Sequence, residues 1–347
     1  MKERPNDIVL IGGKEIANEN PVFIIAEAGV NHGGDINLAF KLIDAAAEAG
    51  VDAVKFQAFK TENLILEDIE KAPYQQETTG KEESQYEMLK KLELARDQYS
   101  QLKDYCNKKG LIFLITPFDE ESLRDLEDVG VEAYKVASTD TTNLPFLKKI
   151  AATGKPVILS TGMCDMEEVR ASVTEVLSIN PNLILLQCTA NYPIQNDEAN
   201  LKVVETFKKE FQCLVGYSDH SVGIGAAPFA IPLGACLVEK HFTLSKELDG
   251  PDHAASLDTA ELKEFVEIIR RVESYMGSSE KRPTASEQNT KRSLQKCFVA
   301  RFEISQGETF SDDNLVAKRT GGIGISPIKY PQVFGRTAKR TFQKNEI

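Results

Sequence analysis

A single rhythm constrains this chain more than any other feature. Short apolar runs recur eight times between residues 21 and 276, each followed by a stretch with helical spacing. The runs are PVFIIA (21–26), AVKFQ (53–57), IFLI (112–115), YKV (134–136), VIL (157–159), ILLQ (184–187), LVGY (214–217) and LVEKH (237–241). Continuous apolar runs suit strands covered on both faces, as in a parallel sheet. Helix punctuation falls between them. Asp35 stands as an N-cap before Leu38, Leu42, Ile43 and Ala46, and Gly50 ends that helix. Asp165 with Glu168, and Asp258 with Glu261, read as capping boxes. Eight strand–helix units in roughly 250 residues are the signature of a (β/α)8 barrel. The competing arrangement, an open doubly wound sheet, is weakened because no GxGxxG turn follows the first run.

Two stretches interrupt the rhythm. Residues 60–94 form a long polar insertion rich in Glu, Gln and Thr, and loops of that length are usually functional or disordered. After Gly277 the composition turns to Ser, Glu, Lys, Pro and Thr, as in a linker. The expected organisation is a barrel domain with a short N-terminal extension over 1–280, a linker over 281–296, and a small β-rich module over 297–347. Such a module is too small for a generous core and is expected to pack against something else. Between the seventh and eighth runs, the small and apolar residues have the length for one helix.

The formal net charge of −12 argues against broad affinity for nucleic acid or an anionic membrane. It leaves room for an anionic substrate, because a few buried lysines make a pocket locally positive. The start MKERPND has no apolar core of a signal peptide, and no run of 18 apolar residues occurs. Six scattered cysteines without a CxxC pair fit reduced thiols in a cytoplasm better than a disulfide framework.

Polar residues collect at the carboxyl ends of the runs: Glu27, Asn31 and His32; Lys55 and Gln57; Thr116; Lys135 and Ser138; Ser160; Asn191; Ser218, Asp219 and His220; Glu239, Lys240 and His241. In a barrel these ends share one rim, where barrel enzymes do their chemistry. Period two turns Lys55 and Lys135 inward, and a lysine inside a strand is costly to bury without an anionic partner. Two inward ammonium groups beside Thr116, Ser138, Ser160 and Ser218 would suit a small substrate carrying phosphate and carboxylate. Each residue alone has an ordinary structural reading: a lysine can snorkel or pair, and a serine can cap a turn. His220 and His241, half of the chain's four histidines, end the last two strands. They read either as a metal pair or as two separately hydrogen-bonded imidazoles.

The segments FIIAEAGVNHGG, DAVKFQ, SQYEMLKKLEL, TPFD, LSTGM, GYSDHS, EKHFTL and GPDHAAS occur in this order across nearly the whole chain. Together they resemble the bacterial sialic acid synthase family, the N-acetylneuraminate and legionaminic acid synthases. The tail KRTGGIGISP resembles that family's C-terminal antifreeze-like (SAF) module. The resemblance implies a metal-dependent condensation of phosphoenolpyruvate with the open-chain aldehyde of N-acetylmannosamine and water, giving N-acetylneuraminate and phosphate. The alternative within the family is a legionaminic acid synthase acting on 2,4-diacetamido-2,4,6-trideoxymannose. His220 and His241 match the family's ligands for a divalent metal, manganese first, with magnesium or cobalt as alternatives. Lys55, Thr116, Lys135, Ser138, Ser160, Asn191 and Ser218 match residues that grip phosphoenolpyruvate. Glu27 matches a carboxylate beside the reacting carbons. Gln57, Tyr192 and Asp252 match sugar-site positions. Arg319 matches an arginine that reaches the partner's site in a swapped homodimer.

Three departures fall on the sugar side. The family's SGE is Ser138-Thr139-Asp140 here, its RPG is Arg319-Thr320-Gly321, and residues 71–89 resemble the legionaminic branch at least as well as the N-acetylneuraminate branch. Two other functions compete. A desolvated Lys135 or Lys55 could serve a Schiff-base pyruvate aldolase. The tail alone could belong to a non-catalytic carbohydrate- or ice-binding protein.

Overall fold

The computed structural model describes residues 5–347, and the chain divides into two compact units after Gly277. The first unit opens with a hairpin, β1 (Val9–Ile11) and β2 (Lys14–Ile16), joined at Gly12-Gly13. Eight parallel strands follow: β3 (Phe23–Gly29), β4 (Ala53–Ala58), β5 (Ile112–Pro117), β6 (Tyr134–Val136), β7 (Val157–Ser160), β8 (Leu183–Cys188), β9 (Leu214–Asp219) and β10 (Leu237–His241). They pair in chain order, and β10 returns to β3 to close the barrel. The expected (β/α)8 architecture is therefore the observed one. Several strands run past their apolar runs, so that Glu27, Ser160, Ser218 and Asp219 lie within strands.

Period two divides each strand. Ile24, Val54, Phe113 and Leu185 face the helices in the larger core. Ile25, Ala53, Leu114, Ile158 and Ile184 fill the barrel interior together with Val9, Ile11 and Ile16 of the hairpin. The hairpin thus plugs the barrel's amino-terminal end, which the apolar rhythm alone did not reveal. Asp52 fixes the seam there. Its carboxylate accepts from the Ile24 backbone at 2.8 Å, the Arg270 guanidinium at 3.0 Å and Lys14 Nζ at 2.6 Å. The predicted caps form: Asp35 accepts from the Asn37 N–H, and Asp165 and Asp258 complete their boxes.

Two expected elements differ. Only a four-residue helix, Ala227–Ala230, and a 3-10 turn, Ile231–Leu233, lie between β9 and β10. Pro228 and Pro232 remove donors, and Gly223, Gly225 and Gly234 adopt positive φ, so a long helix cannot propagate. Asp219 instead gathers the N–H groups of Ser221, Ala226 and Ala227. The 60–94 insertion folds into three short helices, Thr61–Leu64, Pro73–Thr79 and Gln85–Lys90.

The second unit holds a helix, Glu287–Leu294, inside the stretch read as a linker. Its antiparallel pair is β11 (Lys296–Ala300) with β12 (Leu315–Arg319). Ala300, Ile304, Leu315 and Ala338 form its small core, with Phe298, Phe310, Phe334 and Phe342 packed around them.

Candidate active site

A cavity of about 490 Å³ opens at the carboxyl ends of the barrel strands. Strand register composes its floor. Glu27 lies beside Lys55 and His241, Gln57 beside Thr116, and Ser218 beside Glu239. Lys55 Nζ sits 2.7 Å from Glu27 Oε2 and 3.5 Å from Glu239 Oε2, and donates to Thr116 Oγ1 at 3.3 Å. Lys135 Nζ donates to Ser160 Oγ at 2.6 Å and lies 3.6 Å from Glu239 Oε1. That same oxygen accepts from Ser218 Oγ at 3.0 Å. Gln57 Nε2 donates to Glu27 Oε1 at 3.4 Å. A bulge in β3 falls at Gly29, whose φ of +54° is one that residues with a side chain rarely adopt. A Cβ there would come within 3.4–3.5 Å of Gln57, Glu27 and His241.

The two floor carboxylates have opposite fates. Burial pushes Glu27 up to about 7, against the pull of Lys55. Burial acts on Glu239 too, but Lys135 and Lys55 outweigh it and hold it at about 2. Burial lowers Lys135 despite Glu239, whereas Glu239 and Glu27 overcome burial and raise Lys55. Near neutral pH the floor therefore holds one fixed carboxylate on Glu239, one exchangeable proton on Glu27, and the Lys55 ammonium, with Lys135 and the hydroxyls beside them. Opposed carboxyl pKa values of this kind separate a proton carrier from a fixed charge.

Above the floor the His220 and His241 rings lie 5.6 Å apart, and Tyr192 packs against both. His220 Nδ1 is 2.7 Å from the Thr189 carbonyl. A carbonyl only accepts, so Nδ1 carries the proton and Nε2 keeps its lone pair. Burial works to lower the His220 pKa, but the Cys188 sulfur and the Thr189 carbonyl outweigh it, so a cation at Nε2 competes with a proton. Burial and neighbouring His220 hold His241 well below its usual value. Its Nδ1 is buried without a hydrogen-bond partner, 4.0 Å from Asp252. Burial pushes Asp252 up to about 6. Among the described residues no three His, Cys, Asp or Glu side chains converge as a ready ligand set. Two imidazoles with an unsatisfied ring nitrogen nevertheless fit a divalent cation whose remaining positions go to water or substrate oxygens.

Most of the residues singled out from sequence line this one cavity: Glu27, Lys55, Gln57, Thr116, Lys135, Ser138, Ser160, Tyr192, Ser218, His220, His241 and Asp252. Ser138 Oγ accepts from the Gly162 N–H at 2.9 Å. Three others stand apart. Asn191 is exposed and outside the lining. Asp140 is taken up by Asn143 and Thr139 instead of facing the cavity. Arg319 ends β12 in the second unit and is exposed there. Asn31 and His32 also leave the site. Asn31 ties Phe242 O to Ser256, and His32 Nδ1 accepts from the Gly34 N–H. Lys240 pairs with Asp219 at 3.2 Å, away from the cavity. Sequence reasoning placed Glu239 on the rim without seeing that it serves both lysines. It missed Tyr74, from the insertion, whose ring lies 5.1 Å from Tyr192.

Comparison with known proteins accounts for nearly the whole chain. The NeuB family matches residues 42–281, and the SAF domain matches residues 295–347. The N,N'-diacetyllegionaminic acid synthase of Campylobacter jejuni is 45% identical over 93% of this chain and 98% of its own. The Legionella pneumophila enzyme of the same name is 43% identical over 90% of this chain and 89% of its own. A crystal structure of the N-acetylneuraminic acid synthetase of Leptospira borgpetersenii, bound to citrate, is similar at a TM-score of 0.74 and 36% identity. That likeness covers 83% of this chain and 96% of the other. Closed barrel, paired lysines, paired imidazoles and sequence kinship agree: this chain belongs to the NeuB family, the sialic acid synthases.

Proposed function

We propose that the chain condenses phosphoenolpyruvate with the open-chain form of 2,4-diacetamido-2,4,6-trideoxymannose and water, giving N,N'-diacetyllegionaminic acid and phosphate. One observation carries the reading: a single cavity joins a floor of two paired lysines to a rim of two imidazoles. N-acetylmannosamine stood first from sequence alone. The greater identity to the two legionaminic acid synthases than to the N-acetylneuraminic acid synthetase supports the trideoxy sugar instead.

Lys55 and Lys135, with Thr116, Ser138, Ser160 and Ser218, bind the donor's phosphate and carboxylate and hold its enol carbon toward the rim. Glu239 spans both lysines and holds their heads at the floor, so they meet the donor already oriented. His220 and His241 would hold the divalent metal, which when bound supplies Lewis-acid polarisation of the acceptor aldehyde. The donor's C3 bonds to the aldehyde carbon, leaving positive charge at C2 beside Glu27. Water adds at C2 and gives one proton to ionised Glu27, which passes it to the alkoxide left by the aldehyde. The C2–O bond to phosphate then breaks as the C2 hydroxyl, becoming the ketone, gives its remaining proton to the departing phosphate. Gln57 positions Glu27, Tyr192 and Asp252 line the sugar's path, and Arg319 enters a partner's cavity in a swapped homodimer.

Competition between N-acetylmannosamine and the diacetamido-trideoxy sugar, with mass detection of the nine-carbon products, tests the assignment. The diacetyllegionaminic product is expected to dominate. Dominance of N-acetylneuraminate would restore the other acceptor.

A further inference from the structure

The cavity lining has two unlike parts. The lysine floor is charged and hydroxylated. The other wall is built by Val30, Phe59, Leu64, Leu89 and Phe118, which with Leu92 form an apolar cluster separate from the barrel core. Leu64 and Leu89 come from the 60–94 insertion. Every residue that this insertion contributes to the lining is uncharged. Among the described lining residues, the only lysines or arginines are Lys55 and Lys135, both engaged by Glu239 at the floor. A substrate group that reaches the wall therefore meets carbon, and no residue of the same copy that lines the wall offers it a cation.

If the acceptor's aldehyde lies between the imidazoles and the donor, the carbon farthest from the aldehyde points away from the floor. We infer that the wall of Val30, Phe59, Leu64, Leu89 and Phe118 is the specificity element for that distal carbon. It selects an acceptor ending in a methyl over one ending in a hydroxymethyl, and excludes one ending in a phosphate. A methyl gains from apolar burial, whereas a hydroxyl loses its water partners there. A phosphate dianion at this wall would be buried with no counterion among the residues that build it. An apolar pocket discriminates a methyl from a hydroxyl-bearing analogue only modestly, roughly 10- to 100-fold in kcat/KM.

The inference rests on the proposed condensation, and one experiment separates their failures. Phosphate release by the full-length protein with Mn2+ and phosphoenolpyruvate is measured with N-acetylmannosamine, its 6-deoxy counterpart and its 6-phosphate. The first two differ only at the distal carbon. The 6-deoxy sugar is expected to be preferred roughly 10- to 100-fold, with no release from the 6-phosphate. Leu64→Ser/Leu89→Ser is expected to erase most of the preference, and Leu64→Met to keep it. Should the double variant fail to fold, Leu64→Gln alone is read the same way. Equal or better use of the hydroxymethyl or phosphorylated sugar overturns the inference while leaving the condensation standing. So does a preference that survives loss of the leucines. No phosphate release with any of these sugars or with the diacetamido-trideoxy sugar overturns the condensation itself, and the inference with it.

Discussion

Glu27 and His32 are both buried near the carboxyl ends of the barrel strands, and their shifts predict different pH responses. Glu27, raised to about 7 by burial, is protonated below that pH and ionised above it. As a base toward water it must be ionised, so kcat/KM should rise through about pH 7. Glu27→Gln should lower kcat by roughly 10²- to 10⁴-fold and abolish that limb. A wild-type profile that is flat from pH 6 to about 8 would remove Glu27 from proton transfer. Burial lowers His32 from 6.5 to about 4. The unfolded chain therefore binds the extra proton between those values, and stability must fall as pH drops through that window. The loss is about 3 kcal/mol if the shift is fully expressed. Thermal midpoints at pH 7 and pH 4.5 should diverge less in His32→Asn than in wild type. Glu239 shows the limit of reading single residues. Its rim position was legible, but its service to two lysines depends on the register of β10 against β9 and on side-chain reach across the barrel, which no local pattern encodes.

At the level of elements, the eight barrel strands were legible because burial on both faces leaves an uninterrupted apolar run. The hairpin of β1 and β2 was not, since three-residue strands fall below the length at which alternation stands out from chance. The Gly12-Gly13 pair between VLI and KEI was the available signal. The insertion's helices are likewise shorter than the window for helical periodicity, although Ser84 and Glu87 do form a capping box. Ile16 is almost fully buried in the barrel interior. Ile16→Ala should cost about 2–5 kcal/mol. Chemical denaturation should show that loss with the activity of the folded fraction retained. A loss below about 1 kcal/mol would mean that the hairpin does not plug the barrel.

For the whole molecule, sequence kinship reaches from the barrel to the small second unit, so that unit should contribute to turnover. No helix among the described residues is long and apolar enough to cross a membrane. In the proposed swapped homodimer, Arg319 of one copy serves the barrel of the other. Arg319→Ala and His220→Ala/His241→Ala proteins, each inactive alone, should regain roughly a quarter of wild-type activity when co-refolded. Half of the dimers are then mixed, with one complete site each. No recovery in verified mixed dimers would place Arg319 in its own barrel's site, and activity of Arg319→Ala by itself would place it outside catalysis.

The central claim is that the paired lysines and paired imidazoles of one cavity drive a metal-dependent condensation. Phosphate release by the full-length protein tests it most directly, with phosphoenolpyruvate, the diacetamido-trideoxy sugar and Mn2+ supplied singly and together. The account predicts release only when all three are present, arrest by EDTA, and loss in His220→Ala/His241→Ala. Undiminished release after EDTA, or in the double variant, would contradict it.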